Sequence, residues 1–212
     1  TGRPVLDETL AILDDLIAFE TVALTPNLDL VGYCSERLGA VGADIRLTHS
    51  GDGTRANLFA TIGPSGDGGI VLSGHTDVVP VDAGDWSTPP FEAYHRDGRV
   101  YGRGSADMKG FIACVLALAP RFAALSLGRP LHVALTFDEE DGFHGAPILL
   151  DDLVCNGPRP SAAIIGEPTG MEVVAAHKGC YEYTTTVTGR SGHSSEPGRA
   201  VNAVQYATRF IT

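Results

Sequence analysis

No apolar run in this chain is long enough to cross a bilayer, which excludes a helical membrane span. Its opening, Thr1-Gly2-Arg3-Pro4, has neither an initiator methionine nor the hydrophobic region of a signal peptide, so a soluble, cytoplasmic protein is expected. Cysteine is scarce: Cys34, Cys114, Cys155 and Cys180 form no CxxC pair. That spacing suits neither a zinc knuckle nor a disulfide framework, and a reducing compartment is the simpler setting. Cys34 and Cys114 fall in predicted helices and are expected to be small core residues. Basic residues are few as well, 15 against 26 acidic ones, for a formal net charge of −11. An acidic surface disfavours nucleic acid and anionic membranes as partners. There is no GxxxxGK[ST] loop for nucleotide phosphates and no GxSxG elbow for a serine nucleophile. Gly102-Arg103-Gly104 begins like a dinucleotide loop, but Asp107 stands at the third glycine position, where its charge would repel a pyrophosphate.

What the chain does have is alternation. At 212 residues it is long enough for one domain and part of another. Leu6, Leu10, Leu13 and Ile17 recur at helical spacing, predicting a helix over 6–20, and a second is predicted over 28–40. Strands are predicted at 45–48, 57–62 and 70–73, with loops at 63–69 and 87–90. Asp107 is placed to cap a further helix whose inward face carries Phe111, Val115, Leu118, Phe122 and Leu125. A strand at 131–137, a short helix at 146–153 and a strand at 162–165 follow. This order predicts an α/β layered domain, and in open α/β sheets ligands sit at the carboxyl ends of the strands.

After Lys178-Gly179 the pattern changes to period two. Tyr181, Tyr183, Thr185 and Val187 alternate with Glu182, Thr184 and Thr186, predicting a half-exposed strand. A helix beginning near Arg199 follows, with Val201, Ala203, Val204, Ala207 and Phe210 inward. One strand and one helix cannot close a core. The expectation is a domain over 1–177 and an incomplete one over 178–212, the chain being truncated inside the second.

The chemistry-bearing residues stand at predicted strand ends and helix starts. His75 and Asp77 follow the apolar run Ile70-Val71-Leu72, two residues apart and so on the same side of an extended strand. Asp107, Glu139, Glu140 and Glu167 come later, separated by long intervals that a fold gathering strand ends would close. One imidazole with several carboxylates suits zinc, cobalt or manganese better than a thiolate-selective site. So many ligands exceed the needs of one catalytic zinc, and two metals sharing a carboxylate and acidifying a water is the economical arrangement. Neighbours in an extended segment point apart, so Glu140 can serve a metal while Glu139 faces the water as general base. Asp138 is read as a solvated turn residue. His49, His95, His132 and His144 belong to no motif, and His177 is assigned no chemistry.

His75-Thr76-Asp77-Val78-Val79-Pro80, Gly102-Arg103-Gly104-Ser105-Ala106-Asp107-Met108-Lys109-Gly110, Asp138-Glu139-Glu140 and Gly166-Glu167-Pro168-Thr169 occur in the order found in the co-catalytic zinc amidohydrolases and exopeptidases. The chain resembles that family over nearly its whole length. The resemblance implies a zinc-exopeptidase-like three-layer catalytic domain, followed near Lys178 by the start of an inserted α+β, ferredoxin-like lid and dimerisation domain. It implies two zinc ions, with cobalt able to substitute. Asp107 would bridge them, His75 would bind one, and Glu140 and Glu167 would serve different ions; which of those two shares an ion with His75 stays open. Asp77 would orient His75, and Glu139 would be the general base. His193 would be the lid histidine that reaches the partner's active site in a homodimer and steadies the oxyanion. A further histidine ligand of the family would lie beyond Thr212. Within the family, His177-Lys178-Gly179 and Gly192-His193-Ser194-Ser195-Glu196-Pro197 are most similar to the branch that hydrolyses N2-acetylornithine to ornithine and acetate in arginine synthesis. A desuccinylase, aminoacylase or carboxypeptidase acting on another small N-acyl amino acid is the alternative within the family. Outside it stands a non-catalytic metal-binding or dimerisation module, against which the intact Glu139 argues, since a scaffold needs no base.

Overall fold

The structure is a computed structural model, and it describes residues 3–211 apart from 177, 180 and 182. His177, Cys180 and Glu182, named above, thus lie outside the described residues. The chain divides into two compact units, Thr1–Met171 and Glu172–Thr212.

The first unit is a three-layer α/β domain. Its sheet runs β1-β2-β6-β3-β7, with β1 Asp44–His49, β2 Ala56–Ile62, β3 Ile70–His75, β6 Leu131–Thr136 and β7 Ala162–Ile165. The β1–β2 and β2–β6 pairs are antiparallel, whereas β3 lies parallel to both β6 and β7. Helices α1 Arg3–Ala18, α2 Leu28–Ala40 and α3 Gly110–Ala123 cover one face, and α4 Gly145–Asn156 covers the other. Strand alternation assigns the side chains to the two layers. Leu58, Ala60, Val133 and Leu135 pack among α1, α2 and α3. Phe59 and Ala134 pack with Leu149 of α4. His132, fully buried, stacks on Phe59 with ring centroids 5.1 Å apart and has Thr61 Oγ1 3.0 Å from its Nδ1.

Several expectations shift. In α1 the buried side is Ile12, Leu13, Leu16 and Ile17, and Leu6 is exposed in the outlying first turns. In α3 it is Ile112, Val115, Leu116 and Ala119, because the helix is wedged between α1 and the sheet; Leu125 lies beyond its end and is exposed. Cys34 is buried as expected, but Cys114 falls on the outer side of α3 and is exposed. A short hairpin, β4 Tyr94–Arg96 and β5 Arg99–Tyr101, was not anticipated. Its signal is Asp97-Gly98, both with positive φ (52° and 73°), the pair that a tight hairpin turn demands.

In the second unit no strand forms among the described residues of 181–187; the pairing present is a lone bridge between Arg190 and Val201. A strand is stable only against a partner, and none stands beside this segment among the described residues. Helix α5, Ala203–Ile211, is present, with the Asn202 side-chain amide oxygen accepting the Val204 and Gln205 amides at 3.0 and 3.3 Å. Its expected inward face is largely open: Val204 and Phe210 are exposed, with no described residue of this unit covering them.

Candidate metal and active site

Because β3, β6 and β7 are parallel, their carboxyl ends share one edge of the sheet. His75 is the last residue of β3, which runs two residues further than the apolar pattern suggests. Past the end of β6 comes Asp138-Glu139-Glu140, and past the end of β7 comes Gly166-Glu167. The Gly166 amide still donates to the Ser73 carbonyl at 3.0 Å, which holds Glu167 beside His75.

Asp107 reaches the same edge by a different route. It sits in a kinked turn, Ser105–Lys109, that leads into α3, the crossover helix between β3 and β6. Gly104 enters this turn at φ 79°, and a Cβ there would lie 2.6 Å from Val78 Cγ1. Asp107 itself is non-helical (φ −121°, ψ 98°), its peptide to Met108 is cis, and no side chain caps α3. The expected helix cap is therefore absent: the extended backbone turns the Asp107 carboxylate towards His75 instead.

His75 is buried, and its two ring nitrogens have different surroundings. Nδ1 lies 2.9 Å from the Asp77 carbonyl oxygen and 3.6 Å from its carboxylate. Both are acceptors, so Nδ1 carries the proton. Nε2 faces Asp107 Oδ1 at 3.0 Å, Glu167 Oε1 at 3.8 Å and Glu139 Oε2 at 4.0 Å. Asp77 thus holds the ring mainly through its main chain. Its carboxylate is engaged elsewhere, accepting the amides of Glu139 and Glu140 at 3.0 Å each. Glu139 and Glu140 lie in a turn, not an extended segment, and they part there: Glu139 approaches His75, while Glu140 lines a cleft of about 390 Å³ with Asp107 and the 102–106 loop.

Electrostatics follow from this crowding. Burial pushes the Glu140 and Glu167 carboxyls up, and the neighbouring Asp107 and Glu139 charges push the same way against the opposing pull of His75. Burial alone would lower the His75 pKa, but hydrogen bonding and charge from Asp77, with Glu139 and Asp107, raise it to about 9. Burial opposes ionisation of Asp77, yet the nearby His75 ring and the donated amides of Glu139 and Glu140 hold its carboxyl below the usual range.

The donor set fits a divalent cation. His75, Asp107 and Glu167 each offer a ligand atom, all within 4.8 Å of one another. Where Nε2 meets three carboxylates, either a proton or a cation must stand between them. Glu140 is outside this triplet and lines the same cleft as Asp107. His193 belongs to the second unit, exposed, with Nδ1 2.8 Å from Ser195 Oγ and accepting the Ser195 amide.

Sequence reasoning missed two buried charged residues near the site, Asp138 and Lys109. Asp138, read as a solvated turn residue, is 1% exposed. Its Oδ1 accepts the Leu24 amide at 2.8 Å and its Oδ2 pairs with Arg55 Nη1. Lys109 is wholly buried and donates from Nζ to the Phe19 carbonyl at 2.7 Å. Only Lys109 left a sequence trace, a lysine between Met108 and the apolar start of α3 at Gly110-Phe111-Ile112.

The sequence profile of Peptidase family M20/M25/M40 matches residues 71–210. Acetylornithine deacetylase of Shigella sonnei (strain Ss046) is 39% identical over 180 residues, 84% of this chain and 46% of the relative. Acetylornithine deacetylase of Pasteurella multocida (strain Pm70) is 43% identical over 155 residues, 73% of this chain and 40% of the relative. The chain thus spans less than half the length of either. Among solved structures, human carnosine dipeptidase 1 superposes with a TM-score of 0.66 at 23% identity, over 75% of this chain and 38% of that one. The M20 family metallo-carboxypeptidase Sso-CP2 of Sulfolobus solfataricus gives a TM-score of 0.65 at 20% identity, over 75% and 37%. These two likenesses establish the fold, and the profile, which takes in His75, Asp107, Glu139, Glu140 and Glu167, establishes the lineage: the chain belongs to Peptidase family M20/M25/M40.

Proposed function

We propose that this chain carries the metal-binding and base residues of an amidohydrolase that cleaves an N-acyl amino acid, with N2-acetylornithine as substrate and ornithine and acetate as products. The observation that carries the reading is the convergence of His75, Asp107 and Glu167 within 4.8 Å, with Glu139 beside them. The substrate rests on the two relatives named acetylornithine deacetylase. His75, Asp107 and Glu167 would hold one divalent ion. Asp107 and Glu140, which line one cleft, would begin a second site. Zinc bound there, with cobalt as a substitute, supplies a Lewis acid for the acyl carbonyl and acidifies water.

The chain's own residues do the rest. Asp77 fixes the His75 tautomer so that Nε2 faces the ligand cluster. Glu139 accepts the proton of the attacking water and returns it to the leaving amine. The second unit is read as the beginning of a lid and dimerisation domain, with His193 steadying the oxyanion in the site of a partner copy. Its open α5 face supports that assignment. In this reading the protein acts in the cytoplasm, in arginine synthesis.

The test is release of free amine from N2-acetylornithine by the zinc-loaded complete gene product, with N-succinyl-diaminopimelate alongside. Preference for acetylornithine is expected. Preference for the succinylated substrate would keep the chemistry and change the pathway. Hydrolysis of neither, with zinc shown to be bound, would overturn the reading.

A further inference from the structure

Asp138 has no part in the chemistry just described, yet it is among the best-anchored residues of the site. It sits at φ 52°, a conformation that Asp and Asn accept more readily than other side chains. Its carboxylate takes the Leu24 amide on one oxygen and Arg55 on the other. Arg55 is itself fixed: its guanidinium lies over the Phe137 ring, 5.5 Å from the centroid, and 3.5 Å from Asp52.

These bonds close a circuit around Glu139. Leu24 follows a segment stitched to the strand end that carries Asp77. The Val78 amide donates to the Thr21 carbonyl and the Ala23 amide to the Val78 carbonyl, each at 3.0 Å. The Thr21 hydroxyl donates to the Thr76 carbonyl at 2.6 Å. From that strand end the Asp77 carboxylate returns to the Glu139 and Glu140 amides. The turn bearing Glu139 is thereby gripped from both sides: by Asp77 on its amides, and through Asp138 by Leu24 and Arg55. A free run of three acids beside Asp107 and Glu167 would swing apart under like-charge repulsion, and Arg55 places a compensating cation against Asp138.

We propose that Asp138, together with Arg55, is a positioning pair that sets the aim of Glu139, an inference that rests on the reading of Glu139 as the base. The pair acts through the backbone and touches no reacting atom. Asp138→Asn keeps the tolerated φ and an oxygen for the Leu24 amide, but it removes the charge that holds Arg55.

Two measurements on the zinc-loaded complete gene product test this. In Asp138→Asn, kcat falls by about 10–100-fold while KM stays within about twofold, as misplacement of a catalytic group requires. The Glu139 and Glu140 amides exchange with deuterium roughly tenfold faster, while amides of β2 and α3 keep their protection. The double variant Asp138→Asn/Arg55→Met removes both charges and recovers thermal stability, yet kcat stays low. Recovery of kcat in the double variant would make the pair a stabilising contact only and overturn the proposal. Unchanged exchange at Glu139 and Glu140 in Asp138→Asn would overturn it too. If the wild-type protein hydrolyses no acyl amino acid, the proposed activity fails by itself, and the exchange measurement still decides whether Asp138 fixes the turn.

Discussion

The Asp77 carboxylate spans the Glu139–Glu140 turn, accepting one backbone amide on each oxygen, while the Asp77 carbonyl meets Nδ1 of His75. One residue thus holds the proposed ligand with its main chain and the proposed base with its side chain. Asp77→Asn separates the two. It leaves the carbonyl in place and swaps one acceptor oxygen for an NH2 group that cannot accept an amide. The expected result is a loss of about 10–100-fold in kcat, from the displaced turn. Zinc affinity should fall by less than about tenfold, the low end for loss of a group supporting a ligand. A zinc competition titration beside steady-state kinetics checks this. An affinity loss as large as the kcat loss would show that the carboxylate, not the carbonyl, fixes His75.

Glu139→Gln isolates proton transfer. The amide is isosteric but cannot take a proton from water, and Glu139 lies outside the His75–Asp107–Glu167 triplet. Turnover should drop by about 10²–10⁴-fold, with the zinc content by metal analysis unchanged. Glu140→Gln should do the reverse in kind and lower the zinc content, because Glu140 lines the cleft beside Asp107 and feels its charge. Equal metal loss in both variants would refute the division of labour between these neighbours.

Much of this site was legible because its residues end apolar runs. Val71 and Leu72 of β3, Val133 and Leu135 of β6, and Ile164 and Ile165 of β7 mark parallel strands whose last residues fall on one edge. Position along the chain therefore translated into position in space. The supports were illegible for a physical reason. Asp138 looks like a turn residue in any sequence, and its burial depends on Arg55 and Leu24, 83 and 114 residues away. Asp107, read as a metal ligand, was also expected to cap α3 because an acid before a helix usually does; the left-handed Gly104 and the extended backbone after it redirect the side chain. The second unit shows the limit of periodicity. Tyr181, Tyr183 and Val187 alternate as a strand should, but alternation states only which side would be buried, and no pairing partner stands beside them among the described residues.

His75 makes the metal-free protein sensitive to pH. Its folded pKa, raised to about 9 despite burial by Asp77, Glu139 and Asp107, stands above the ordinary 6.5. The imidazolium stabilises the fold fully below pH 6.5, and that contribution is lost as pH rises through 9. Thermal melts of the metal-free protein should therefore decline across this window beyond the drift of the His75→Gln variant. Zinc in place of the proton removes the dependence, and its uptake at pH 7.5 should release about one proton from His75. Calorimetry in buffers of different ionisation enthalpy measures that release. Zinc binding without proton release, or a flat melting profile, would mean that His75 is already neutral.

Lys109 carries the opposite sign. Its side chain is 0% exposed, and burial lowers its pKa from 10.5 to about 8 against the weaker opposing pull of Cys34 and Asp77. The unfolded chain therefore binds this proton more tightly than the folded one. Stability should rise as pH climbs from about 8 to 10.5 and fall away as pH drops through 8. At neutral pH the buried charge is a liability that one hydrogen bond only partly offsets. The Phe19 carbonyl that receives Nζ also accepts the Thr21 amide at 2.9 Å, so removing the lysine does not orphan it. Lys109→Met, similar in length and apolar, should thus stabilise the protein at pH 7 by about 1–3 kcal/mol and abolish the alkaline rise. Urea titrations of both proteins at pH 7 and pH 10 would show the gap closing at the higher pH. A variant less stable than wild type at both values would mean instead that the ammonium is held by partners strong enough to outweigh its burial.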